Sequence, residues 1–256
     1  MANMRVARKM NKRKIFKTVW FGLAAVFVIW NWSTFQSRNL PKDTFASNGL
    51  ITVVENNDRI TFQSNKSKQA VELIFFPGGL TDPKAYAPLC KKIAERGYTC
   101  HIIKMSFRLP QRDYQKISRM FDLKSGQYVI GGHSQGGKMA AQFVYENPGI
   151  MKGLFLLGTS HPRDISLSDQ SIPTIKLYAE NDGLASVEEV LENMDKLPIN
   201  SKLILIEGGN HSQFGYLGSL LMDDKADITL AEQQSIVLKH LASFLSEIKD
   251  NRGRGI

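Results

Sequence analysis

Cysteine is scarce: Cys90 and Cys100 are the only two in 256 residues. Two thiols have neither the number nor the neighbours of a zinc site. Neither sits beside the N-terminal apolar run, which excludes a lipoprotein anchor. Both occupy apolar positions, one in a predicted helix and one in the strand after it. The expectation is therefore a pair of buried free thiols, with a disulfide as the alternative that an exported domain permits. Acid is absent from one end of the chain. Met1 to Arg38 hold eight Lys or Arg and no Asp or Glu, and the remainder carries 25 basic against 24 acidic residues. The formal charge of +9 thus belongs to a tail, and a nucleic-acid partner is not expected for the domain. There is also no internal repeat and no low-complexity block, and the length suits one α/β domain with a substantial core.

Long apolar runs are confined to one place. Thr18 to Trp32 ("TVWFGLAAVFVIWNW") is uncharged, with tryptophans near both ends. With Ile15, Phe16 and Phe35 it reaches roughly 20 residues, the length that spans a bilayer as a helix. Seven of the eight basic residues precede it, so the positive-inside bias places the N-terminus in the cytoplasm and the rest outside. The small-residue site Thr44-Phe45-Ala46 lies too far beyond the run for ready cleavage, so an uncleaved signal anchor is favoured over a signal peptide. The expected organisation is a basic cytoplasmic tail over 1–14, a transmembrane anchor over 15–35, a polar linker over 36–48 and a domain over 49–249. The predicted location is the cell membrane, single-pass, with the domain extracytoplasmic and the membrane itself as a partner.

Within the domain, "LITVVEN" and "RITFQS" flank Asn57-Asp58 and read as a β-hairpin. Six short apolar runs then read as strands: Val71–Phe76, Thr99–Met105, Tyr128–Gly131, Gly153–Leu157, Thr174–Tyr178 and Leu203–Ile206. Helical patterns lie between and after them, over Pro83–Arg96, Gln111–Phe121, Gly136–Glu146, Val187–Lys196 and Leu230–Ile248. Strands apolar on both faces, alternating with helices, predict a mostly parallel sheet in a three-layer α/β sandwich with the hairpin at its edge. Functional groups in such a sheet collect beyond the carboxyl ends of the strands.

That rule selects the loops to read. "YVIGGHSQGG" is a strand, a tight turn and a helix start. Gly-x-Ser-x-Gly alone is a weak signal, but a strained nucleophile elbow needs small residues on both sides of the serine, and Gly132 and Gly136 supply them around Ser134. A serine needs a base. Of five histidines, His133 on the elbow is expected to point away, His101 lies in a strand and His240 in the last helix. His161 follows another strand and suits the substrate side. His211, in "LILIEGGNHSQFGYLG", leaves the last strand through Gly-Gly and is the predicted base. Asp182, in "YAENDGL", is the predicted orienting carboxylate, preferred over Glu180, and Asp164 and Asp169 read as solvated charges. The oxyanion donors are expected to be the backbone N–H groups of Gln135 and of Gly79 in "FFPGGLTDP", with Leu80 as second choice for the latter. Leu80, Phe107, His161 and Phe214, with Arg108 and Tyr216, are candidates to line a substrate cleft.

On "FFPGG", "YAPLCKKIAERGY", "IIKMSFRL", "GGHSQGGKMA", "YAENDGL" and "EGGNHSQFG", the chain from about Leu50 to Ile248 resembles the α/β-hydrolase superfamily, in particular its small, lid-poor, dienelactone-hydrolase-like bacterial branch. The resemblance implies a serine hydrolase with Ser134, Asp182 and His211 in the roles above and with no metal or cofactor. Two departures from that pattern are Pro77-Gly78 where many relatives carry His-Gly, and a serine where the dienelactone enzymes use cysteine. Only "TSHPRDISLSDQS" fills the place where many lipases insert a lid, so an open cleft is expected, suited to modest acyl esters or to a substrate presented at the membrane. The leading expectation is a membrane-anchored carboxylesterase. An acyltransferase on envelope components and a non-catalytic tethered binding protein are the alternatives.

Overall fold

The computed structural model describes residues 12–66, 71–160 and 164–253. Among them, helix α1 (Lys12–Thr34) is long and apolar enough to cross a membrane, and its side chains are exposed except near its end, where Thr34 is buried. Strands β1 (Ile51–Glu55) and β2 (Arg59–Ser64) form the expected antiparallel hairpin. Asn56 makes the turn: its side-chain oxygen accepts from the N–H groups of Asp58 and Arg59, each at 2.9 Å. This is the local bonding that makes Asn a turn residue.

Six further strands follow: β3 (Glu72–Phe76), β4 (Cys100–Ile103), β5 (Tyr128–His133), β6 (Gly153–Leu157), β7 (Thr174–Ala179) and β8 (Lys202–Ile206). They complete one sheet in the order β1-β2-β4-β3-β5-β6-β7-β8. β2 runs antiparallel to β4, and every pairing from β4 to β8 is parallel. The helices are α2 (Ala87–Glu95), the short α3 (Pro110–Asp113) and α4 (Ile117–Met120), α5 (Gln135–Glu146), α6 (Val187–Glu192) and α7 (Leu230–Gly253). Successive strand residues face opposite sides: Leu73 and Phe75 join the core under α2 and α7, whereas Ile74 and Phe76 join the core under α4 and α5. The result is the three-layer sandwich.

Three local expectations need correction. The helix read over Gln111–Phe121 is broken, because Asp113 takes a non-helical conformation (φ −150, ψ 24) between α3 and the next turn and binds the N–H and hydroxyl of Ser106. The helix read over Pro83–Arg96 opens with a 3₁₀ turn, Pro83–Tyr86, capped by Asp82. Cys90 and Cys100, expected as free thiols, are joined in a disulfide. Gly97, at φ +107, reverses the chain between α2 and β4, and the resulting Cα separation of 5.5 Å falls where disulfides lie.

The segment after α1 is packed onto the domain. The N–H of Gly218 donates to Thr34 O, that of Asp82 to Phe35 O and that of Arg38 to Tyr216 O, at 2.8–2.9 Å. Arg108 donates to Gln36 Oε1 at 3.0 Å and lies over the Trp32 ring. Further on, the buried Lys91 ammonium meets Asp43 Oδ2 at 2.6 Å.

Candidate active site

The carboxyl ends of the parallel strands bring the candidate residues together. Ser134 stands between β5 and α5 with φ 52 and ψ −125. A non-glycine residue held at positive φ persists only where the surroundings fix it, and here they do. Its N–H donates to Leu157 O at 2.9 Å and its carbonyl accepts from Lys138 N–H at 3.1 Å. The flanking glycines are required by contact: a Cβ on Gly132 would lie 2.1 Å from Phe76 O, and one on Gly136 2.2 Å from the same atom. The elbow is pressed onto the end of β3, and only glycine fits there.

Asp182, in the loop after β7, and His211, after β8, are both nearly inaccessible to solvent. His211 Nδ1 lies 2.9 Å from each carboxylate oxygen of Asp182. Oδ1 also accepts from the N–H groups of Leu184 and Ala185, at 2.9 and 2.7 Å. A carboxylate accepts only, so Nδ1 is the nitrogen that donates to Asp182 and Nε2 is the one left facing away from it. Glu180, the other carboxylate considered in this loop, accepts from Gly208 N–H at 2.8 Å and braces the turn after β8.

Asp223, which nothing in "LLMDDKADI" distinguishes from a solvated acid, holds the histidine turn. It accepts from His211 N–H at 3.1 Å and Ser212 N–H at 2.8 Å. His133 was expected to point away from the site. Instead its ring lies 4.4 Å from that of His211, centroid to centroid, and Nδ1 lies 2.8 Å from the Tyr86 hydroxyl. Burial first, and the neighbouring His211 second, hold its pKa well below the usual histidine value, so this ring is neutral. Phe214, expected to line the cleft, is fully buried, 5.6 Å from the His133 ring. It supports the histidines from behind.

Ser134, His133 and His211 line one cavity of about 440 Å³ with Gly78, Gly79, Leu80, Gln135 and Gln111. That volume is within the usual range for small-molecule sites. Phe35, Leu109, Leu184, Leu220 and Leu221 make the rest of the wall largely apolar. None of these five was singled out in the sequence, where they are scattered apolar residues, and Phe35 reads as part of the membrane span. Gly79 and Gln135 adjoin: a Cβ on Gly79 would lie 3.5 Å from Gln135 Cβ. The Leu80 N–H is taken by Arg108 O at 2.7 Å, which removes it as a donor to a ligand, while its side chain stays on the cavity wall. Phe107, expected in the cleft, is 79% exposed because the left-handed backbone at Phe107 and Arg108 (φ 54 and 57) turns it outward. His161 lies outside the described residues. Among the described residues no group of three or more His, Cys, Asp or Glu is arranged to hold a metal ion.

Residues 72–235 match the model of the alpha/beta hydrolase family. The chain belongs to that family. Among solved structures it is similar to Est1E from Butyrivibrio proteoclasticus, with a TM-score of 0.54 and 12% identity over 77% of this chain and 99% of that one. At that identity the likeness is one of fold. No curated protein matches the chain.

Proposed function

We propose that the protein is a membrane-anchored serine hydrolase that cleaves carboxylic esters through an acyl-enzyme. The observation that carries this reading is the 2.9 Å contact of buried Asp182 with His211 Nδ1, with His211 on the wall of a cavity that also holds Ser134 on a strained turn. Membership of the alpha/beta hydrolase family supports it.

In this mechanism His211 Nε2 removes the Ser134 hydroxyl proton as Oγ attacks the ester carbonyl. Asp182 keeps Nδ1 protonated and stabilises the imidazolium that forms. The oxyanion is met by the backbone N–H groups of Gln135, at the positive end of α5, and of Gly79, whose lack of a side chain lets the backbone approach. His211 then returns the proton to the leaving alcohol and activates water against the acyl-enzyme. Because His133 is neutral, it places no second full charge beside His211 when that ring becomes cationic. The helix α1, with its basic N-terminal flank, anchors the domain, with the N-terminus on the cytoplasmic side.

The test is hydrolysis of p-nitrophenyl esters from acetate to palmitate by the full-length protein, beside Ser134→Ala. The expected result is turnover on at least part of the series that is lost in the variant. Folded protein with no turnover on any ester would overturn the reading.

A further inference from the structure

α1 does more than hold the domain near a membrane: the residue that follows its last turn, Phe35, lines the candidate site. The anchoring part of α1, from Ile15 to Thr34, spans roughly 30 Å, about the thickness of the hydrocarbon layer. The C-terminal end of α1, with Trp30 and Trp32, therefore falls at headgroup depth, where tryptophan prefers to sit. Phe35, the residue directly after α1, is already a wall of the cavity that contains Ser134 and His211. No slack separates the two. Thr34, Phe35 and Arg38 are hydrogen-bonded through their backbones to Gly218, Asp82 and Tyr216, and Thr34 is 4% exposed.

The cavity rim has the composition this position demands. Leu80, Leu184 and Leu221 line the cavity and yet are 39%, 45% and 46% exposed, and Met222 beside them is 78% exposed. Phe107, at 79%, flanks Arg108, which holds Gln36 and lies over Trp32. Exposed apolar residues gathered around one opening mark a surface that meets another apolar phase. Here the helix that ends on the same rim says which phase that is.

Extending the ester-hydrolase reading above, on which this rests, we infer that the cavity mouth is seated in the outer headgroup layer and takes its substrate laterally from the bilayer, as a lipid or amphiphile bearing an acyl ester. The acyl chain enters over the apolar rim past Phe35, and its ester carbonyl reaches Ser134. α1 is then a positioning device for substrate as well as an anchor.

The experiment uses the full chain reconstituted in vesicles of equal parts phosphatidylcholine and phosphatidylglycerol. Its comparison is a variant with a Gly-Ser insertion of about 20 residues between Trp30 and Asn31, which lets the domain drift roughly 25 Å from the anchor. In both, Met222→Cys carries an environment-sensitive fluorophore, and nitroxide lipids serve as quenchers. Quenching is expected without the insertion and should be largely lost with it. Turnover of a vesicle-embedded long-chain fluorogenic ester should fall at least about tenfold on insertion, as effective concentration drops, while turnover of soluble p-nitrophenyl acetate stays within about twofold. Absence of quenching without the insertion, or equal turnover of the embedded ester by both proteins, would overturn the inference and leave the hydrolase reading intact. Loss of activity on soluble and embedded esters alike in the uninserted protein would instead strike the hydrolase reading, and the lipid-ester substrate with it.

Discussion

The hydroxyl of Tyr86 lies 2.8 Å from Nδ1 of His133, and this bond ties two loops of the candidate site together. The same hydroxyl accepts from Gly78 N–H at 3.1 Å and lies 3.1 Å from Thr81 Oγ1. Gly78 and Thr81 belong to the loop after β3, and His133 precedes the elbow serine. Tyr86 is fully buried and its own pKa is pushed up to about 12, chiefly by that burial, so it remains a neutral hydroxyl that can donate as well as accept.

Tyr86→Phe strands the Gly78 N–H and His133 Nδ1 away from water. The expected cost is about 1–3 kcal/mol of folding stability, read by chemical denaturation. Ester turnover should fall in kcat more than in KM, because the loop carrying Gly79 loses its tie to Ser134. An unchanged kcat would show that Gly79 needs no such tie.

Asp182→Asn keeps the shape of the carboxylate but offers His211 the choice of the other tautomer. The expected loss in kcat at neutral pH is on the order of 10⁴, the size seen when this substitution is made in serine–histidine–aspartate sites. Circular dichroism and melting should show a folded protein. Turnover within tenfold of the parent would mean that Asp182 does not orient the base.

Lys176 in β7 is fully buried and donates to Ser160 O at 2.8 Å. Burial, with a smaller contribution from Lys138, lowers its pKa from 10.5 to about 8. Between these values the unfolded chain holds a proton that the folded chain has released, so folding stability rises with pH across that window. Below about pH 8 both states are charged and the penalty is complete, on the order of 3 kcal/mol. Lys176→Met should flatten the rise between pH 8 and 10.5 in denaturation curves and gain stability at pH 7. An unaltered pH profile would contradict this.

Much of the architecture was legible because the physics was local. Gly153–Leu157 is apolar at every position, which a strand buried on both faces requires, and it is strand β6 at those bounds. The hairpin was carried by Asn57-Asp58 between two β-rich runs, although Asn56, read as the end of the first run, is the residue whose side chain makes the turn. The serine turn was readable from its glycines, whose spacing reflects the contact of β5 and α5 with Phe76 O. What stayed illegible depends on distant partners. The break at Asp113 follows from its bonds to Ser106. Asp223 looks like a surface acid until the fold brings it under His211. His133 could not be placed without Tyr86, 47 residues away. Phe35 belongs to two patterns at once, and only the packing of α1 onto the domain reveals the second.

The central claim is that Ser134 is the nucleophile that His211 activates. It is tested most directly by treating the full-length protein with a fluorophosphonate ester and locating the adduct by peptide mass spectrometry while following turnover of a p-nitrophenyl ester. The account predicts a single adduct on Ser134, loss of turnover in proportion to labelling, and neither label nor turnover in Ser134→Ala. An adduct on another residue, or turnover that survives in Ser134→Ala, would contradict it.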